Sequence, residues 1–445
     1  MTPPGKRVKE DSTSSIRAEY EHLKAILAAV DSEHLEEVEP AEAFKAVLNG
    51  LASMQPEEAL YKLEDITVND DYLLAFLSHP NSSVLGELLK LPGETGTRAA
   101  KLLMDLVDRE SSEDEVSLRL IQHFKDSSLI EILVRIFVGT PLIDEEHRDK
   151  LYSIFAVFEC LKELEPEFPL GGQGLLENIA LRAVTPGATN RLYAAEMLSI
   201  LLEGPQDPLL AELLERILTA IDTEYREDDS ESQEICENLL NSVELMSIQR
   251  KSAGILVDAD AVAVLLGLVR AKNWASEKSI NILRALCDSG PQPAEQAIRG
   301  GGLGLIISFC IYDVFEKGKK AQSIREAGLD ILASICLWIE AEAERKRLED
   351  ALGQPIFVDL LFRTHKHLQA LPLSFESAVL RKNLSILILF SCRKDEFEAM
   401  GIWGLSLKTL QEMIEAADEA LRRPRLEALV KKVKELPFER SHKEF

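Results

Sequence analysis

Apolar positions along this chain recur every three to four residues, and nowhere do they alternate with polar ones over a stretch of strand length. IRAEYEHLKAILAAV places Ile16, Tyr20, Leu23, Ile26 and Leu27 on one helical face, and AEAFKAVLNGLASM does the same with Phe44, Val47, Leu48 and Leu51. Pro and Gly punctuate the pattern into short helices, at Pro80, Pro92-Gly93, Pro141, Pro166, Pro186-Gly187, Pro205, Pro208 and Pro291 among others. The pattern predicts an all-α protein.

Two pieces then repeat. The first opens on a small turn and runs into an apolar helix: GGQGLLENIALRA from Gly171, DADAVAVLLGLVRA from Asp258, GGGLGLIISFCIY from Gly300. The second follows most copies of the first: TRAAKLLMDLVD, RLYAAEMLSILLEG, QEICENLLNSVEL, SEKSINILRALCDSG and LASICLWIEAEAE. Ala195 and Cys236 hold matching places 41 residues apart, and Cys236 and Ile280 hold matching places 44 apart. That period lies in the band of armadillo and HEAT repeats, and xAAxxLxxL has the form of a third armadillo helix. One unit is too small to bury its own apolar face, so neighbouring units must stack. The expected architecture is an all-α, right-handed armadillo superhelix, an α-solenoid. Residues 1–15 read as a flexible tail and 16–80 as an N-terminal helical, HEAT-like cap; 81–415 are the armadillo repeats, and 416–445 a C-terminal capping helix with a basic tail.

Charge narrows the partners. Fifty Lys and Arg against 76 Asp and Glu leave a net charge of −26, which disfavours nucleic acid or an anionic membrane. Six cysteines (160, 236, 287, 310, 336 and 392) never fall within four residues of each other. CxxC metal or redox motifs are thereby excluded, and a reducing compartment is expected. The longest apolar stretches, near Leu303–Tyr312 and Leu384–Phe390, are short of the ~20 residues of a membrane span. The N-terminus has no apolar signal-peptide core, but Lys6, Arg7 and Lys9 have the form of a short nuclear localisation signal.

With the repeats laid out, several stretches in order resemble the beta-catenin-like protein 1 family, nuclear armadillo proteins associated with the spliceosome. They are LASMQPEEALYKLED with LLAFLSHPNSSV, FAVFECLKELEPE, GGQGLLENIALRA, NRLYAAEMLSILLEG, SQEICENLLNSVELMSIQR, GLDILASICLWI and FVDLLFRTHKHLQ. The likeness runs from about Pro40 to Val430 and departs from the family in its short N-terminal tail and in LGELLKLPGETGTR, which interrupts the first repeat. The resemblance implies a non-enzymatic nuclear scaffold that accompanies the NineTeen-type splicing complex. It also implies partners that are splicing factors with basic segments, of the cell division cycle 5-like type.

Peptide-binding armadillo proteins carry a Trp and, four residues on, an Asn along the third helix. Here the Trp place holds Ala156, Glu196, Glu237, Asn281 and Ser334, and the Asn place holds Asp105, Cys160, Ile200, Asn241, Ala285 and Trp338. Only Asn241 keeps its type, so the aromatic ladder of an import receptor is missing. An acidic stripe stands in its place: Glu237 and Asn241 share a face, Glu244 lies close by, and Glu196 matches one repeat earlier. The expected groove comprises Glu196, Glu237, Asn241, Glu244, Asn281, Glu159, Asp105 and Trp338. Upstream, TEYREDDSESQE reads as a solvated loop and helix face.

Other chemistry is weak. Gly300–Gly304 mimics a phosphate loop, yet no strand precedes it and the same turn recurs near Gly171. His365 and His367 point ~200° apart on a helix and cannot share a metal. Asp258 and Asp260, and the dispersed Ser and Cys residues, have no nearby base at a spacing that would activate them. Arg422, Arg423, Arg425, Lys431, Lys432 and Lys434 invert the charge at the C-terminus, without the interleaved aromatics of a nucleic-acid platform. Trp274, Trp338 and Trp403 read as core or interface. The expectation is no catalysis, no cofactor, no metal, no membrane and no direct nucleic acid, with a homodimer as a further partnership. A cytoplasmic transport or chaperone adaptor of the armadillo type is the alternative.

Overall fold

The computed structural model describes residues 47–67, 70–108, 115–171, 173–202, 211–272, 274–311, 319–370, 375–391, 394–399, 401–416 and 423–435. Lys6, Arg7 and Lys9 lie outside them. Every regular element among the described residues is helical. The chain divides into two compact units, Met1–Asp207 and Pro208–Phe445.

The first unit contains α1 (Pro56–Thr67), α2 (Asp70–Leu77), α3 (Val84–Leu89), α4 (Gly93–Val107), α5 (Glu115–Asp126), α6 (Leu129–Gly139), α7 (Arg148–Leu164), α8 (Gln173–Val184) and α9 (Arg191–Leu202). They form three rows. Helices α1, α4, α7 and α9 pack one on the next, α3, α6 and α8 form a second row, and α2 and α5 a third. The stretch that interrupts the first repeat in sequence covers most of α3, the turn after it and the start of α4. The buried Lys150 secures it, its Nζ donating to the carbonyls of Leu89 at 2.7 Å and Leu91 at 3.1 Å.

The second unit holds α10 (Ala211–Glu224), α11 (Ser230–Ile248), α12 (Arg250–Asp258), α13 (Ala261–Ala271), α14 (Ser276–Ser289), α15 (Pro291–Arg299), α16 (Gly302–Ile311), α17 (Lys319–Trp338), α18 (Glu342–Leu352), α19 (Pro355–Ala370), α20 (Phe375–Phe390), α21 (Lys394–Ala399), α22 (Trp403–Ala416) and α23 (Arg423–Glu435). Helices α11, α14, α17, α20 and α22 stack in order. Each of α13, α16 and α19 covers the helix that follows it. The first repeated piece of sequence is thus the covering helix, and the second is the stacked one.

Composition explains the rows. In α9, Ala194, Ala195, Met197, Leu198, Leu201 and Leu202 are all buried, because helices press on it from more than one side. Only a stripe with Tyr193 and Glu196 reaches solvent. The Gly300–Gly304 run is a turn between α15 and α16. Gly301 takes φ +70°, and a Cβ on Gly302 would lie 2.6 Å from the Ala297 carbonyl oxygen. TEYREDDSESQE ends α10 and starts α11, where Asp229 caps the helix by accepting from the Ser232 N–H at 2.8 Å.

Among the described residues no single helix is long and apolar enough to cross a membrane. The bent pair Lys251–Asp258 and Ala261–Ala271 passes by length and composition, but its side chains Leu256, Val257, Leu265, Leu266 and Leu268 are buried in the second unit.

Candidate functional site

The stacked helices place one solvent-facing stripe per repeat side by side. In the first unit α4 and the residue that caps its end present Asp105 and Asp108; α7 presents Tyr152, Glu159, Cys160 and Glu163; α9 presents Tyr193 and Glu196. The Tyr152 and Tyr193 rings meet edge to face, centroids 4.8 Å apart, and each remains 39% exposed. This exposed aromatic rung joins consecutive stacked helices.

Beside the rung the charge is of one sign. Burial, then Glu196, then Glu163 hold the Glu159 carboxyl above the usual carboxylate range. Burial pushes the Cys160 thiol up to about 11, helped by Asp108, Glu163 and Glu159. The Tyr193 phenol is raised by burial and Tyr152, then by Glu196 and Glu159. Glu196 and Glu163 thus act on Glu159 from α9 and α7, and Asp108, just past the end of α4, adds its charge at Cys160. Tyrosine faces beside such carboxylates suit the alkyl stem and charged head of Lys or Arg.

The corresponding stripe of the second unit is braced internally. Glu244 faces Lys278 at 3.6 Å, from α11 to α14. Arg284 faces Asp330 at 3.7 Å, and Ser334 donates to Asp288 at 3.3 Å, both from α14 to α17. Asn383 on α20 donates to Asp330 at 2.6 Å. Burial raises the Asp330 carboxyl, opposed by Asn383 and Arg284.

Glu159 and Glu196 come together, in the first unit. Asp105 stands exposed on α4, and it is Asp108, three residues on, whose charge reaches Cys160. Glu237 is exposed, and Asn241 and Asn281 are half-buried, in the second unit. Glu244 is engaged by Lys278. Trp338 does not face an open groove: it is 5% exposed, with the Arg425 guanidinium 4.6 Å from its ring centroid. Trp403 is buried and Trp274 half-buried. Sequence reasoning missed Tyr152, Tyr193, Glu163 and Asp108. Their signal was available, since Tyr193 precedes Glu196 by three residues and Tyr152 precedes Glu159 by seven, both helical repeats of one face.

No group of three or more His, Cys, Asp or Glu among the described residues is arranged to hold a metal. Burial pushes the Cys236 and Cys287 thiols up to about 12 and raises Cys310 further, so none of these is a ready nucleophile.

Comparison with known proteins fits this arrangement. The family described as "Catenin-beta-like, Arm-motif containing nuclear" matches residues 52–354. The chain belongs to this family. Human beta-catenin-like protein 1 is 26% identical over 221 residues, 47% of this chain and 38% of that protein. The rat protein of the same name is 24% identical over 217 residues, 45% and 38%. The chain thus aligns with less than two-fifths of the length of these relatives. An engineered protein of known crystal structure superposes with a TM-score of 0.53 over 97% of both chains at 16% identity, which speaks for the fold alone. The Arm motif of the family and the stacked three-row helices together make this an all-α armadillo-repeat solenoid. Such a protein is a protein-interaction scaffold, in a family and fold that are typically non-enzymatic.

Proposed function

We propose that this chain is a non-enzymatic nuclear scaffold of pre-mRNA splicing that holds basic, localisation-signal-like segments of splicing factors. The face formed by Asp108, Glu159, Glu163 and Glu196 with the Tyr152–Tyr193 rung is the site of that contact. One observation carries the reading: half-buried Glu159 faces Glu196 and Glu163, and burial and then these acidic neighbours hold its carboxyl above the ordinary range, a setting that a cation would relieve. A partner's Lys or Arg supplies it, which turns mutual repulsion into attraction. Stacked helices sit ~8–10 Å apart and an extended peptide advances ~3.3 Å per residue. About three peptide residues therefore span one repeat, and a cluster of four basic residues reaches from Glu159 to Glu196.

The aromatic rung distinguishes this face from the second unit's stripe, where Glu244 already has Lys278, and Asp330 has Arg284 and Asn383. The association with the NineTeen-type complex and the nuclear site rest on the family resemblance. Affinity purification of a tagged chain from nuclear extract, followed by mass spectrometry, tests both. Splicing proteins with basic segments should accompany the parent and be lost with Glu159→Lys/Glu196→Lys. Recovery of cytoplasmic carriers instead, or of the same splicing proteins with both chains, contradicts the proposal.

A further inference from the structure

The end of α17 in the second unit is built around arginine. A helix C-terminus leaves carbonyls without intrahelical donors and carries the negative end of the helix dipole. Here the Arg425 guanidinium, from α23, donates through Nη1 to the Trp338 carbonyl at 3.0 Å and the Leu337 carbonyl at 3.4 Å. Through Nη2 it donates to Glu340 at 2.6 Å, while its Cζ lies 4.6 Å from the centre of the Trp338 ring. Arg345 completes the set by donating to the Ile339 carbonyl at 2.8 Å. Ring face, two carbonyls and a carboxylate thus converge on one planar cation, a combination a lysine ammonium does not match.

The occupant does not fill its seat. Beside Arg425 a cavity of about 300 Å³ opens, lined by Cys336, Phe390, Arg345, Pro424, Ala428 and Leu429. Helix α23 spans 13 residues, a length that is marginal for a helix on its own. Its buried anchors are Leu426, Leu429 and Val430, and the Glu340 side chain that pairs with Arg425 is 70% exposed. Helix α23 thus keeps its place through three buried side chains, the Arg425 hydrogen bonds and one ion pair to an exposed carboxylate, with a cavity left beside it.

We propose that the Trp338 seat is a binding site for an arginine-bearing amphipathic helix of a partner protein, with α23 as its resident occupant in cis. The spacing of Arg425, Leu426, Leu429 and Val430 defines what fits: an arginine followed by apolar residues one, four and five positions on. The partner competes with α23 for the same carbonyls and ring. This site lies in the second unit and is independent of the acidic face proposed above.

Two measurements on the full chain test it. Native-state hydrogen exchange should show the α23 amides opening while α17 and α20 stay protected; exchange of all three only in a common unfolding event overturns the proposal. A fluorescein-labelled peptide of residues 423–435 should bind Arg425→Ala at least tenfold more tightly than the parent. The gain should vanish when Trp338→Ala is added. A folded Arg425→Ala chain without that gain, or a gain that survives Trp338→Ala, overturns the proposal. If Arg425→Ala does not fold, the exchange measurement on the parent decides.

Discussion

At the residue scale two side chains define how this solenoid treats charge. Glu159 is half-buried, within reach of Glu196 and one helical turn from Glu163, so its ionised form is disfavoured in the native state. A carboxyl whose native value is raised contributes stability that is present below its unfolded value and is lost as pH rises through the native one. Glu159→Gln should therefore stabilise the chain at pH 7. Relief of a like-charge i,i+4 pair is worth ~0.2–0.5 kcal/mol, and the advantage should disappear below about pH 4, where the unfolded carboxyl is also protonated. Thermal melts of parent and variant across pH check this. Arg182 is the opposite case, a fully buried cation without a buried carboxylate partner. Its guanidinium serves the carbonyls of Thr140, Pro141, Leu142 and Thr189 and lies 5.3 Å from the Phe137 ring centre, fixing the turn between α6 and α7. Arg182→Met should cost ~1.5–3 kcal/mol, the range for hydrogen bonds to a charged group. Arg182→Lys should recover only part of this, because an ammonium cannot fork to four acceptors. Urea unfolding of the three chains measures both effects. Nothing in ENIALRAV announced Arg182: an arginine late in an apolar helix reads as a solvent-seeking end, and three of its four carbonyl partners lie about 40 residues away in sequence.

At the element scale most of the architecture was legible. The five copies of the second piece coincide with α4, α9, α11, α14 and the end of α17, and those helices stack in each unit as the repeat period required. What betrayed them was burial: small residues such as Ala99-Ala100 and Ala194-Ala195 lie where a neighbouring helix approaches closely. The site was less legible for a related reason. A Trp and Asn template directs attention to two places per helix, whereas the exposed tyrosines stand elsewhere on the same face. Trp338, which does occupy a template place, is covered by α23 from 87 residues downstream, a contact no local pattern encodes. Close approach also sets a prediction. A Cβ on Gly328 of α17 would lie 2.7 Å from the buried Cys310 sulfur on α16, so Gly328→Ala should cost ~1–3 kcal/mol by overpacking. Gly254 on α12 faces open space, and Gly254→Ala should instead gain ~0.5–1 kcal/mol from helix propensity. Opposite shifts in melting temperature for the two variants check the assignment of crossings.

At the scale of the whole molecule the net charge of −26 should draw basic ligands from a distance and disfavour nucleic acid. Local pairing then decides where they settle. The second unit pairs Glu244 and Asp330 with its own cations, while in the first Glu159 faces Glu163 and Glu196. The most direct test is an anisotropy titration of a labelled KRxK-type peptide against the intact chain and against Glu159→Lys/Glu196→Lys, each confirmed folded by circular dichroism. Single exposed ion pairs are worth only ~0.2–1 kcal/mol, but reversing both charges removes attraction and adds repulsion. Binding to the parent should weaken as salt shortens the Debye length below ~10 Å. The double variant should lose at least tenfold in affinity, which corresponds to about 1.4 kcal/mol. A folded double variant that binds the peptide as tightly as the parent, with the same salt dependence, would contradict the account.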